Sequence, residues 1–318
     1  MIKQGEIQAL FHRHLKHNIK HIETNRKLII RYQISQVVGY LLVLVVLCSW
    51  NFLLAIDSWA FLSSLMIAMG VIFVSSAAYQ AQKQKYHKQY KFHIVRPIAE
   101  CIDPSWQYQP FKGIDAKEIK ASRLFATGYN YYHSDDLISG LIGKTDFQCA
   151  DVHIQRAVNT NRAYSIFQGL FFHADFHKHF QGAIFVTPDF TKGRWGNAGT
   201  FIQKHLVGQG QLVKMENLEF ERLFMVHATN PTEARYVLTP VIMEAMVKLR
   251  QFYNNPISFA FMGTRMYCAI DFEEPLFEPE IYRSAVNYRD IQFMYALLKI
   301  NKIIVEEMQL NTRIWTKA

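Results

Sequence analysis

Residues 34–55, ISQVVGYLLVLVVLCSWNFLLA, and residues 58–79, SWAFLSSLMIAMGVIFVSSAAY, are separated by Ile56 and Asp57 alone. A transmembrane helix takes roughly 20 mainly apolar residues at about 1.5 Å of rise each, so either stretch can cross a bilayer. Asp57 is the single charge between Arg31 and Lys83. The pair therefore reads as a transmembrane hairpin over 34–79 with a minimal turn at Ile56, Asp57 and Ser58. Trp50 and Trp59 bracket that turn, and Tyr32, Tyr40 and Tyr79 lie toward the opposite ends. Amphipathic rings favour both membrane interfaces, which agrees with the spans. The polar and basic stretch 1–33 comes first, whereas a cleaved signal peptide has its apolar region close to the start, so the hairpin is expected to be retained.

Working outward, the net charge of +9 is unevenly placed. Residues 1–33 carry Lys3, Arg13, Lys16, Lys20, Arg26, Lys27 and Arg31 against Glu6 and Glu23. Residues 80–100 carry Lys83, Lys85, Lys88, Lys91 and Arg96 against Glu100, and residues 101–318 are left almost neutral. Basic residues flanking both spans and an acid at the turn predict that both termini are cytoplasmic. The same flanks are expected to attract anionic headgroups, at about 1 kcal/mol per basic side chain. A near-neutral domain gives no basis for nucleic-acid binding. Cys48 falls in the first span and Cys101, Cys149 and Cys268 are scattered without C-x-x-C spacing, so free thiols in a reducing compartment are expected.

The chain divides on this reading into a basic amphipathic N-terminal helix (1–33), the hairpin (34–79), a basic juxtamembrane linker (80–100) and a cytoplasmic α+β domain (101–318). Ile7, Phe11, Leu15, Ile19 and Ile22 recur at helical spacing, a pattern compatible with lying on the membrane, pairing with another protein or packing on the domain. His12, His14, His17, His21, His87 and His93 in the basic flanks read as solvated. After a helical extension over 80–89, Trp106, Tyr108 and Phe111 are expected to pack on the domain. Short apolar runs at 137–142, 147–154, 164–172 and 183–186 predict an antiparallel meander, with a Gly-containing loop at 193–199 and further strands at 212–215 and 224–228. Asn230, Pro231 and Glu233 predict a capped helix whose acid completes a capping box, and Thr239-Pro240 predicts a second start. Runs 257–262 and 266–270 around Gly263 predict a hairpin, and 288–310 a helix that covers the sheet.

The domain resembles an uncharacterised family of bacterial membrane proteins catalogued as domain of unknown function 3137. The resemblance spans roughly 129–315. It rests on Gly169-Leu170-Phe171-Phe172 with Ala174-Asp175-Phe176 and Gly182, Glu219-Phe220-Glu221 with Phe224 and Val226, Glu233-Ala234-Arg235-Tyr236 with Leu238-Thr239-Pro240, and the terminal 310–315. It implies an N-terminal membrane hairpin before an α+β domain, and no activity or site.

Four possible metal ligands, His173, Asp175, His177 and His179, are spaced by two, so an extended strand would place them on one face. That face reads either as a zinc site or as an ordinary solvated polar face, and the second is preferred because catalytic zinc takes three placed ligands and an open position. Glu216, Glu219 and Glu221 read as a helix surface rather than an acid/base set, and Glu233, Arg235 and Tyr236 as a local structural network. Residues 194–199 lack the Lys-Ser/Thr of a phosphate loop, and neither G-x-S-x-G nor H-E-x-x-H occurs. Ser64 and Ala68 offer a small-x-x-x-small contact, read first as packing the hairpin on itself. The expectation is a multi-pass protein of the inner (cytoplasmic) membrane, acting as a non-enzymatic binding or scaffold module toward a membrane or cytoplasmic protein, with no cofactor. The alternatives are a metal-dependent enzyme using the His173 strand, with zinc as the possible metal, and a lipid-headgroup module.

Overall fold

A computed structural model describes residues 16–49, 58–125, 129–159, 162–176, 179–189, 210–284 and 288–307. The amphipathic positions Ile7, Phe11 and Leu15, the turn residues Ile56 and Asp57, the loop 193–199 and the stretch 308–318 lie outside them. The chain divides into two compact units, Met1–Ile98 with Glu278–Met294, and Ala99–Phe277 with Tyr295–Ala318.

In the first unit, α1 (Lys16–Cys48) and α2 (Ser58–Tyr90) are, among the described residues, the two helices long and apolar enough to cross a membrane. α1 runs unbroken through the division expected at residue 33 because no Gly or Pro lies between Lys16 and Gly39 to end it. Gly39 is buried against α2, where a Cβ would lie 2.7 Å from Ile72 Cγ1. Further along, buried Asn25 accepts from Gln82 Nε2 at 3.0 Å and donates to Gln89. These two contacts set an antiparallel register. Ala68 is buried in the same unit, as self-packing of the hairpin requires. Ser75 turns its hydroxyl onto the Val71 carbonyl at 2.6 Å, satisfying a polar group inside an apolar helix. A π-helical turn, Lys91–Val95, follows, and then α3 (Arg96–Ile102).

The second unit is built on one nine-stranded antiparallel sheet in the order β1-β2-β3-β4-β9-β8-β5-β7-β6. Its strands are β1 (Gln107–Gln109), β2 (Tyr131–Ile142), β3 (Thr145–Asn159), β4 (Arg162–Asp175), β5 (Ile184–Pro188), β6 (Gln211–Val213), β7 (Phe224–Ala228), β8 (Ile257–Met262) and β9 (Arg265–Asp271). The expected meander corresponds to β2 to β5, of which only β2, β3 and β4 are successive neighbours: the β8–β9 hairpin inserts between β4 and β5, and β1, which the apolar runs did not indicate, adds outside β2. β2 starts earlier than its apolar run because Tyr131 to Asp135 pair with β3 ahead of a bulge. The sheet is covered on both sides, which is why β4 reads as continuous Gly169-Leu170-Phe171-Phe172 instead of alternating. Phe171 joins Phe125, Phe167, Phe185 and Ile119 of α4 (Ala116–Ser122) on one face. On the other, buried Cys149 lies beside Asn301 of α8 (Tyr288–Glu307), whose Leu297, Ile304 and Val305 are buried. Gly169 is obligatory, since a Cβ there would lie 2.1 Å from the Ile270 carbonyl oxygen.

The remaining helices start where their caps place them. α5 (Leu218–Leu223) begins at Asn217, α6 (Pro231–Val237) at Asn230 and α7 (Pro240–Tyr253) at Thr239, each side chain accepting a first-turn N–H. Glu233 departs from the capping-box expectation. Its carboxylate accepts from the backbone N–H groups of Gln181 at 3.0 Å and Gly182 at 2.9 Å, so it ties α6 to the approach of β5. Trp106 and Tyr108 are buried as expected, whereas Phe111 is exposed in the turn after β1.

Candidate functional site

Three places combine exposed or unsatisfied groups with defined geometry. The first is the hairpin itself, where Ile34, Val37, Leu41, Leu44 and Val45 on α1 and Met66, Ile67, Phe73 and Val74 on α2 are exposed. Large apolar side chains rarely cover a water-facing helix so completely, and their density here matches a lipid-facing surface. Beyond the apolar stretch the basic residues split into two sets. Lys27, Arg31, Lys85 and Lys88 are exposed. Arg26 binds Glu23 and the Ile281 carbonyl, and Lys91 meets Glu278 at 2.9 Å.

The second is the His173 strand. His173 is 3 % exposed, between Gln148 of β3 and Tyr267 of β9 in register. Arg265 Nη1 donates to its Nδ1 at 2.8 Å, and Arg265 Nη2 donates to Asp146 at 3.0 Å. An accepting Nδ1 puts the neutral ring's proton on Nε2, which is buried without a hydrogen-bond partner. Burial, and secondarily the Arg265 cation, push the His173 pKa down to about 3. A metal ion at this imidazole would have to displace Arg265 or switch the tautomer. β4 ends at Asp175, which is half-buried on the face of His173, and Phe176 N–H then turns to the Thr264 carbonyl at 2.8 Å. His179 is exposed beyond the strand end, and His177 lies outside the described residues. The structure thus brings His173 and Asp175 together with Arg265 and Asp146, two partners too distant in sequence for spacing to have revealed.

The third is a pocket of about 330 Å³ lined by Lys214, Met215, Glu216, Asn217, Arg235, Leu238, Pro240 and Met243. Sequence reasoning missed it, because its walls come from the segment joining β6 to α5, the end of α6 and the start of α7. Its frame is fixed locally. Glu221 accepts from the Met215 N–H at 2.7 Å, and Asn217 accepts from the Phe220 N–H at 3.0 Å. Exposed Lys214 and Arg235 stand over a floor of Met215, Leu238 and Met243, which suits an anionic group carrying an apolar part. Of the acids weighed for catalysis, Glu221 is committed to that backbone bond and Glu219 accepts from Gln251 at 2.7 Å. Arg235 and Tyr236 are exposed, and the Glu233 carboxylate is held by the N–H groups of Gln181 and Gly182.

Residues 165–310 match the family described as Protein of unknown function (DUF3137). Among solved structures, the crystal structure of the mycobacterial trehalose monomycolate transport factor A is similar at 9 % identity over 67 % of this chain and 94 % of that one. Its TM-score of 0.34 is too low to carry an inference. No curated protein matches the chain. Within the DUF3137 segment, the residues that carry the resemblance do structural work. Gly169 admits the Ile270 carbonyl, and Gly182 sits where a Cβ would meet Thr229 Oγ1 at 2.3 Å. Glu233 holds the N–H of Gly182, and Thr239 caps α7.

Proposed function

We propose that this protein is a membrane-tethered, non-enzymatic binding or scaffold module. The observation that carries the proposal is the exposure of apolar side chains along both hairpin helices, which water would not tolerate and lipid would. In this reading the spans cross the inner (cytoplasmic) membrane with both termini in the cytoplasm, set by the basic residues on both flanks and Asp57 at the turn. Lys27, Arg31, Lys85 and Lys88 meet anionic headgroups, since they are exposed while Arg26 and Lys91 are engaged internally. The near-neutral DUF3137 domain presents its pocket to a partner that offers an acidic group beside an apolar one, engaged by Lys214 and Arg235.

The tether is tested by thiol labelling from outside intact cells: a cysteine introduced at Asp57 should react, and one at Lys3 or Lys317 should not. Labelling of either terminus from outside would overturn the orientation. Binding is tested by affinity purification from detergent-solubilised membranes, comparing the unaltered chain with Arg235→Glu. A co-purifying protein lost in the variant supports the reading. Turnover in an unbiased hydrolase panel, abolished by one His or Glu substitution, would replace it. The zinc alternative predicts stoichiometric metal in the purified chain that disappears in His173→Ala.

A further inference from the structure

The segment after residue 277 belongs to the hairpin unit, and its polar contacts fasten it across both helices. Glu278 binds His87 and meets Lys91 Nζ at 2.9 Å, and Tyr86 donates its hydroxyl to the Glu280 carbonyl at 3.1 Å, all on or just after α2. On the α1 side, Arg26 Nη1 donates to the Ile281 carbonyl at 2.9 Å and Gln33 Nε2 donates to the Tyr282 hydroxyl. Two carbonyls and two side chains are thereby held over the five residues 278–282, so this strap is fixed. Yet the Tyr282 ring at its end is 74 % exposed.

The depth of that ring follows from the hairpin register. Gly39 lies against Ile72, and Asn25 against Gln82 and Gln89, so antiparallel pairing sets Gln33 across from Ala78 and Tyr79. Gln33 is two residues past Arg31, the last charge before the first span, and one before exposed Ile34. The Tyr282 hydroxyl is therefore pinned at the level of Tyr32 and Tyr79, where the helices pass from charged to apolar. An exposed apolar ring with a satisfied polar tip, held at that level, fits the boundary between headgroups and hydrocarbon.

We infer that the strap is a third membrane-contacting element, and that Tyr282 seats in the lipid interface of the bilayer crossed by the hairpin, completing a belt with Tyr32 and Tyr79. The inference rests on the tether proposed above and deepens it. Sequence patterning could not show it, because Tyr282 is about 200 residues from the spans and sits in no apolar run.

The test uses the full chain in liposomes of defined phospholipid, with Cys48 and Cys101 changed to Ser and a nitroxide placed singly at Tyr282→Cys, Tyr79→Cys, Met66→Cys and His93→Cys. Power saturation against oxygen and a water-soluble nickel chelate reads the depth of each label. The expected order is Met66 deep, His93 in water, and position 282 matching position 79 between them. A label at Arg283→Cys, which leaves the Tyr282 ring in place, should read the same shallow depth within one helical turn. If labels at 282 and 283 match His93 while Met66 stays deep, the inference is wrong and the tether survives. If Met66 itself reads as water-exposed, both fall together.

Discussion

The apolar stretch of the hairpin and the sheet unit expose and bury their large apolar side chains in opposite senses. In the hairpin, Leu41, Leu44, Met66 and Phe73 face outward while Asn25 and Ser75 are enclosed. In the sheet unit, Phe147, Phe171, Phe185 and Phe259 are enclosed on the two faces of the strands. The contrast shows that different forces hold them. Burial of apolar area drives the sheet unit, at about 25 cal/mol per Å². On the proposed membrane reading, lipid is as apolar as leucine, so close approach at Gly39 and hydrogen bonds around Asn25 would hold the hairpin.

Substitutions that break the contrast should have effects of very different size. The largest is expected at Phe171→Ala, which empties the aromatic cluster with Phe125 and Phe167 and should cost about 3–5 kcal/mol, read as a loss of folded chain in detergent by denaturation. Gly169→Val belongs to the same class, because the strand cannot move away from the Ile270 carbonyl without breaking its pairing with β9. Recovery of Gly169→Val with an unaltered melting profile would mean that the close approach is not required.

Acidity supplies an intermediate test. His173 has a pKa near 3 in the folded state against 6.5 for the free side chain, so its stabilisation is present above about pH 6.5 and is lost as pH falls toward 3. Asp271 works in the opposite direction. Burial raises its carboxyl to about 6 from 3.8, so its contribution is full below about pH 4 and is lost as pH rises through 6. Between pH 6 and 4 the two slopes oppose, each about 1.4 kcal/mol per pH unit at its steepest. Asp271→Asn should therefore unmask a fall in stability on acidification, and His173→Gln a rise. Parallel pH profiles for the two variants would refute the opposition.

In the hairpin the expected changes are smaller. Gly39→Val forces the helices apart at Ile72 and should cost about 1–3 kcal/mol, seen as loss of disulfide trapping between cysteines placed across the pair. Asn25→Leu removes the bonds to Gln82 and Gln89 and should cost about 1 kcal/mol by the same assay. Leu44→Ala should change almost nothing, below about 0.5 kcal/mol, because its exposed side chain on the proposed membrane reading meets lipid in the folded pair and in the separated helices alike. A loss at Leu44 as large as that at Phe171 would show that the hairpin is an ordinary buried core.

The sequence by itself determined the elements whose causes are local. The near absence of charge from Arg31 to Lys83, broken by Asp57 alone, marked the two long apolar helices, and Asn230-Pro231 and Thr239-Pro240 fixed the starts of α6 and α7, since a cap acts within one helical turn. Strands β3, β4, β7 and β8 were legible as apolar β-formers between turn residues. Tertiary structure alone decided which distant groups meet. The insertion of β8 and β9 between β4 and β5, Arg265 on His173, Glu233 on Gly182, the pocket walls around Arg235 and the strap across Arg26 and Tyr86 each join residues far apart in the chain. Periodicity records the face a side chain takes on its own element and carries no information about the element opposite, which is chosen by shape and hydrogen-bond complementarity once the chain has folded.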